Sequence, residues 1–197
     1  MVIKTLVVGT FGVNCSVFAI AGRSYAVDPG SDADVVADAM AAAGEPTAVL
    51  LTHAHFDHIG GIAGLQKRYP DLKVVVAAAD VSAFGHPMNS YPPDYPLAPK
   101  PANIVNAIEI PGMEIIATPG HTPGGVSYYF AAEKLLFSGD TLFCGSVGRT
   151  DLPGGDMATL MKSLAKIRSL PPDTKVIAGH GAATTIAMEI STNPFLR

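Results

Sequence analysis

An α/β sandwich, two mixed β-sheets with helices on their outer faces, is the architecture this sequence predicts. Three observations point to it. Short apolar runs of strand length alternate with helical patterns through the whole chain. Both halves follow one plan, a strand meander, a helix and a strand that ends in a polar cluster, although no residue-level repeat is visible. With 48% apolar and 15% charged residues among 197, the chain buries a large core and fits one domain spanning 1–197.

The elements follow in order. Residues 3–8 and 15–20 read as strands around a Gly-rich turn, and 24–27 as a third strand ending at Asp28-Pro29-Gly30. Ser31 or Asp32 then caps a helix to Ala43, which Gly44 and Pro46 stop. Residues 48–51 form a continuous apolar run, suited to a strand buried on both faces. A helix over 62–69, stopped by Pro70, precedes a strand over 73–77. Six prolines between Pro87 and Pro101 exclude regular structure and make 85–103 a long stiff loop. Strands over 104–108, 114–118, 126–130 and 134–137 come next, then a loop over 138–155. A helix over 157–167, a strand over 175–178 and a short helix over 184–190 complete the chain.

Several classes of protein are excluded. A net charge of −4 without any block of Lys or Arg argues against nucleic-acid binding. Cys15 and Cys144 are two isolated thiols, not a disulfide framework, and read as reduced cysteines of a cytoplasmic protein. The N-terminal apolar stretch is interrupted by Gly9, Thr10, Gly12, Asn14 and Ser16, which suits two strands better than a signal peptide. No apolar run has the ~18 residues of a membrane span.

The strongest chemical signal is His53-Ala54-His55-Phe56-Asp57-His58. Alternate residues of an extended segment face one side, so His53 and His55 can reach one metal together. A turn into a helix would swing Asp57 and His58 toward a second position. Ligand distances of about 2.0–2.2 Å require such crowding. Gly60-Gly61 lets the backbone pass close by.

Three further segments place one ligand-type side chain beside a glycine after a buried strand. They are Gly120-His121-Thr122, Ser138-Gly139-Asp140 and Gly179-His180-Gly181. Each alone is more often a turn than a ligand. Jointly they leave only His86 of six histidines outside the set.

In this order the HxHxDH, GHT, SGD and GHG segments resemble the metallo-β-lactamase superfamily over essentially the whole chain. The resemblance implies its αββα sandwich and a binuclear site. By it, His53, His55 and His121 hold one metal, Asp57, His58 and His180 the other, and Asp140 bridges both. Asp28 stands where the superfamily often keeps a carboxylate behind the ligands, and a plain turn aspartate is the alternative. Asn14-Cys15, the stretch Gly145-Ser146-Val147-Gly148-Arg149-Thr150-Asp151 with Gly154-Gly155-Asp156, and the closing Thr184-Thr185-Ile186 through Asn193-Pro194-Phe195-Leu196 are similar to short bacterial glyoxalase II-like hydrolases. Full-length glyoxalase II carries a C-terminal helical domain with glutathione contacts, and this sequence ends before it. The loop with His86, Tyr91 and Tyr95 also departs from the family pattern.

The implied chemistry is hydrolysis by a metal-bridging hydroxide. Two divalent ions, offset by Asp57, Asp140 and one hydroxide, leave a charge of about +1. A bound ion lowers the pKa of its water to about 7, and the residual charge stabilises an oxyanion. A thiol leaving group, with a pKa of about 8.5, departs with little protonation, whereas an amide needs a general acid that the motifs do not supply. A small-molecule thioester or ester, anionic in character, is therefore the expected substrate, with Asp57 and Asp140 catalytic and Arg149 and Tyr91 as substrate contacts. Zinc is the expected metal, with iron or manganese as alternatives. The competing readings are a mononuclear iron persulfide dioxygenase using His53, His121 and Asp140, a lactonase or esterase, and a metal-stabilised module without activity. Seven ligands are more than a closed structural site uses.

Overall fold

The structure, a computed structural model, describes residues 1–197. It divides into two compact units, Met1–Ile110 and Pro111–Arg197.

The first unit is built on a six-stranded sheet in the order β1-β2-β3-β4-β5-β6. Its strands are β1 (Ile3–Val8), β2 (Val13–Ile20), β3 (Arg23–Val27), β4 (Glu45–Leu50), β5 (Lys73–Val75) and β6 (Ile104–Val105). The first three are antiparallel and the rest run parallel, so the sheet is mixed as expected. The parallel crossovers are α1 (Ala33–Ala43) and, after β4, α2 (Phe56–Ile59) with α3 (Ile62–Arg68). Helix α1 buries Val36, Ala37 and Met40 in a core with Val13, Cys15, Val17, Val49 and Leu51. Burial disfavours the charged thiolate of Cys15 and, with a smaller contribution from the nearby Asp28 charge, pushes the thiol pKa up, so this cysteine is an inert core residue.

Sequence and structure part at several edges. Pro46 does stop the helix region, yet β4 begins at Glu45, with a register shift opposite Ser24 and Tyr25 absorbing the proline. Asp32 occupies the cap position of α1 without capping it, because its carboxylate instead accepts from the Gly9 N–H at 2.8 Å. A 3₁₀ turn over Ala78–Ala83 follows β5. The strand expected over 104–108 closes after Val105.

The second unit carries a five-stranded sheet in the order β13-β12-β9-β8-β7. Here β7 is Met113–Ala117, β8 Val126–Phe130, β9 Leu135–Gly139, β12 Lys175–Ala178 and β13 Thr184–Thr185. Only β9 and β12 are parallel. A small hairpin, β10 (Leu142–Phe143) with β11 (Ser146–Val147), occupies the expected loop. Helix α4 (Met157–Arg168) is capped by Asp156, whose carboxylate accepts from Thr159 N–H at 2.6 Å. It buries Leu160, Leu164 and Ile167 against Tyr129, Leu136 and Val176. The final helix, α5 (Ile186–Thr192), starts two residues later than the pattern predicts, because Thr184 and Thr185 pair with Val176 and Lys175 first. No helix is long and apolar enough to cross a membrane.

Candidate metal centre

Ligand-type side chains gather at the C-terminal ends of parallel strands in each unit, where the chain leaves the sheet. In the first unit β3 and β4 end side by side, at Val27 and Leu50, and the Asp28 N–H still bonds to the Leu50 carbonyl at 3.1 Å. Asp28 adopts φ 49°, a left-handed conformation that aspartate tolerates better than most residues. The turn that follows lies directly on the backbone of α2. A Cβ at Gly30 would stand 1.6 Å from the Asp57 carbonyl oxygen, so no other residue fits there. The expected close passage at Gly60-Gly61 is present too, with the Gly61 N–H bonded to the Pro29 carbonyl at 2.9 Å.

This arrangement puts the Asp28 carboxylate behind the histidines. Its Oδ1 accepts from the Thr52 N–H at 2.8 Å and its Oδ2 from the Thr52 hydroxyl at 2.6 Å. With its proton given to Asp28, the Thr52 oxygen accepts from His53 Nδ1 at 3.1 Å, which leaves Nε2 as the lone-pair donor of that ring. His58 Nδ1 lies 3.1 Å from Asp28 Oδ2. One buried carboxylate therefore holds Thr52, which bonds to His53, and stands beside His58.

The rings themselves are packed together. His53 and His58 have centroids 4.0 Å apart, and His53 and His55 4.8 Å. Asp57 Oδ2 stands 3.9 Å from His58 Nε2. His53, Asp57 and His58 are buried, and His55 is half-buried.

In the second unit three loops converge after three strands. Thr118 to His121 follow β7, Asp140 follows β9, and His180 follows β12. The parallel pairing of β9 and β12 sets Ala178 beside Gly139, and the Gly179 N–H bonds to the Gly139 carbonyl at 2.8 Å. Asp140 and His180 thus leave adjacent strand ends together. The His121 loop is held by α4: Asp156 N–H bonds to the Gly120 carbonyl, Ser163 donates to the Pro119 carbonyl at 2.7 Å, and Lys166 to that of Ala117 at 2.7 Å.

Asp140 Oδ2 lies 3.6 Å from His121 Nε2 and 3.7 Å from His180 Nε2. These distances exceed a hydrogen bond. They suit two ligands of one ion, since atoms about 2.1 Å from a tetrahedral centre stand about 3.4 Å apart. His121 donates from Nδ1 to the Arg149 carbonyl at 2.7 Å, which leaves Nε2 for a metal. The donor set, imidazole nitrogens with carboxylates among them and with the second ring nitrogen engaged in His53 and His121, fits divalent metal ions of the zinc, iron or manganese type.

The expected substrate contacts are placed differently from the ligand candidates. Arg149 makes a two-point ion pair with Asp151, at 2.6 and 2.7 Å, on an exposed surface. Its guanidinium holds the Asp151 carboxyl down to about 2. Tyr91 is exposed and belongs to an aromatic group with Phe11 and Phe56, with ring centroids 5.1 and 6.0 Å away. His86 accepts from the Met88 N–H and stays outside the ligand groups. Sequence reasoning missed Thr52 and Gly148. The first was signalled only by its place before His53. A Cβ on the second would stand 1.8 Å from the Asp140 carbonyl oxygen.

Comparison with known proteins identifies the family. Residues 8–180 match the family model of the metallo-β-lactamase superfamily. The chain is 39% identical to a probable metallo-hydrolase, YqgX, of Bacillus subtilis, over 86% of this chain and 85% of that protein. It is 34% identical to the hydroxyacylglutathione hydrolase GloC of Haemophilus influenzae, over 100% and 98%. Among solved structures, the B3 metallo-β-lactamase BLEG-1 superposes with a TM-score of 0.88 at 36% identity, covering 99% of both chains. TTHA1623 in a di-iron-bound form gives 0.88 at 35% identity, covering 98% of this chain and 100% of that one. The chain belongs to the metallo-β-lactamase superfamily and has its α/β fold, with mixed sheets and helices.

Proposed function

We propose that this chain is a hydrolase of thioesters of the hydroxyacylglutathione type, dependent on two divalent metal ions, zinc foremost. Its ligands are His53, His55, Asp57, His58, His121, Asp140 and His180, in the allocation that the family resemblance implies. The observation that carries the metal reading is the Asp140 carboxylate oxygen set between the Nε2 atoms of His121 and His180 at distances suited to shared coordination. The thioester reading draws on the likeness to GloC along the full length of both chains.

A divalent ion bound there supplies a water acidified to a pKa of about 7 and positive charge for a developing oxyanion. The chain's own residues set the geometry. His121 keeps its proton on Nδ1, against the Arg149 carbonyl, and His53 keeps its proton against Thr52. Asp28 fixes Thr52 and faces His58. Asp57 and Asp140 supply the negative charge. None of these groups has a spare proton for a departing amine, which favours a thiolate leaving group. Arg149 and Tyr91 are the proposed substrate contacts, and a substrate carboxylate meets Arg149 by sharing or displacing Asp151. An exposed free Cys144 suits the reducing cytoplasm.

Metal analysis of freshly purified protein, combined with thiol release from S-lactoylglutathione, tests the proposal. Two equivalents of zinc per chain and thiol release are expected. One iron per chain with oxygen uptake on glutathione persulfide would replace the hydrolase by a dioxygenase. Preferred turnover of a lactone or a β-lactam would keep the metal site and overturn the substrate class.

A further inference from the structure

The sheet stops before the ligands begin. The final ladder bond along this strand runs from the Leu51 N–H to the Val75 carbonyl at 2.9 Å, and the segment from Thr52 to His55 lies beyond β4. Such a segment needs other partners, because buried backbone groups without them are costly and an unheld chain would splay its side chains. Thr52 has Asp28 as its partner, as described above. Ala54, the residue between His53 and His55, is held on both of its backbone groups. Its N–H donates to Asp80 Oδ2 at 3.3 Å, and its carbonyl accepts from Asn89 Nδ2 at 2.8 Å.

Both partners are buried, as is Ala54 itself. Asp80 sits in the 3₁₀ turn that follows β5, with its own N–H bonded to the Ala77 carbonyl at 3.0 Å. Asn89 lies in the Pro-rich loop. Its amide nitrogen also donates to the Ala83 carbonyl at 3.1 Å, and its N–H bonds to the His86 carbonyl at 2.8 Å. The two side chains come from different segments and grip one residue from its two polar sides.

We infer that Asp80 and Asn89 are positioning residues for the metal ligands, replacing with side chains the ladder that ends at Leu51. The physical reason is the period of an extended chain. His53 and His55 share one side only while Ala54 stays extended, and rotation about its φ or ψ would turn one imidazole away from the other. A clamp on both backbone groups of Ala54 fixes those two angles. It also gives the Pro-rich loop a structural duty, since that loop carries half of the clamp. The inference rests on the proposal that His53 and His55 bind metal.

Cobalt(II) titration of the full chain tests it, read by the visible absorption of the bound ion and by competition with a chromophoric chelator. The variants are Asp80→Ala, Asp80→Asn and Asn89→Asp, with Ser90→Ala as the control in the same loop. Asn89→Asp keeps the shape but removes the donor. It should weaken cobalt binding by about tenfold or more and shift the absorption bands, as expected when partners that orient ligands are lost. Asp80→Ala should do the same, while Asp80→Asn, which keeps an acceptor, should recover most of the affinity. Ser90→Ala should match the parent.

Unchanged cobalt affinity and spectra in Asn89→Asp and Asp80→Ala, with only a lower unfolding temperature, would overturn the inference and leave the metal site standing. If neither variant folds, Asp80→Asn decides: parental cobalt spectra support the clamp, and loss of binding despite a retained acceptor overturns it. A parent chain that binds no cobalt would overturn the metal proposal and this inference together.

Discussion

The backbone carbonyl of Arg149 accepts a hydrogen bond from Nδ1 of His121 at 2.7 Å, while the Arg149 side chain points to an ion pair with Asp151. One residue thus does two separable things. Its backbone sets the tautomer of His121, a proposed metal ligand, and its guanidinium is available to the surface. Substitution of the side chain and distortion of the backbone should therefore have different effects.

Arg149→Ala should leave metal stoichiometry at the parental value and raise KM for an anionic thioester, with kcat changed little. Gly148→Ala should do the reverse. Its new methyl group meets the Asp140 carbonyl oxygen, so Asp140 and the His121 hydrogen bond must shift together. A metal affinity lower by about tenfold or more is expected, measured by chelator competition.

The Arg149–Asp151 pair has a signature in its titration. The hydrogen bond from Arg149 stabilises the Asp151 carboxylate and depresses its pKa to about 2. A folded pKa below the unfolded value of about 3.9 means the pair's contribution is complete above that value and lost as pH falls toward 2. Carbon-detected NMR of the side-chain carboxyl should show this low pKa. Arg149→Gln should return it to the ordinary carboxylate range.

Asp140→Asn should reduce bound metal from two equivalents to one or fewer and lower kcat by at least two orders of magnitude, with the circular dichroism of the parent. The same variant should lose the rise in unfolding temperature that added zinc confers on the parent, because a ligand stabilises only the state that binds it. A parental zinc response in Asp140→Asn would count against the bridging role.

Leu160→Ala separates stability from chemistry. Leu160 is fully buried on α4, with its backbone under Gly120 in the loop that leads to His121. The cavity should cost about 3 kcal/mol in urea unfolding. At temperatures where the variant remains folded, its metal stoichiometry should equal that of the parent.

Much of the fold is legible residue by residue. β8 and β12 fall where the sequence pattern places them, β12 because the run Val176-Ile177-Ala178 is continuously apolar and buried. The misses lie where local preference competes with a distant partner. Asp32 has the composition of a helix cap, but Gly9, 23 residues earlier in the chain, takes its carboxylate. Thr184 and Thr185 extend no helix because Lys175 and Val176 offer them a strand edge. The hairpin of β10 and β11 hides in a Gly-rich stretch, where two-residue strands leave no periodicity to read.

The site divides along the same line. Metal-ligand chemistry is rare and local, so three imidazoles and a carboxylate within six residues, with three more ligand-type side chains each beside a glycine, identify the ligand candidates by type and spacing alone. Orientation is neither rare nor local. Asp80, Asn89 and the Arg149 carbonyl are ordinary groups that nothing in their own sequence neighbourhoods marks, while Thr52 is signalled only by its place before His53 and Asp28 only by the family resemblance. Their roles come from which strand ends lie side by side and which backbones approach closely enough to bond. Only the folded chain decides that, because a hydrogen bond depends on a distance of about 3 Å and not on separation along the chain.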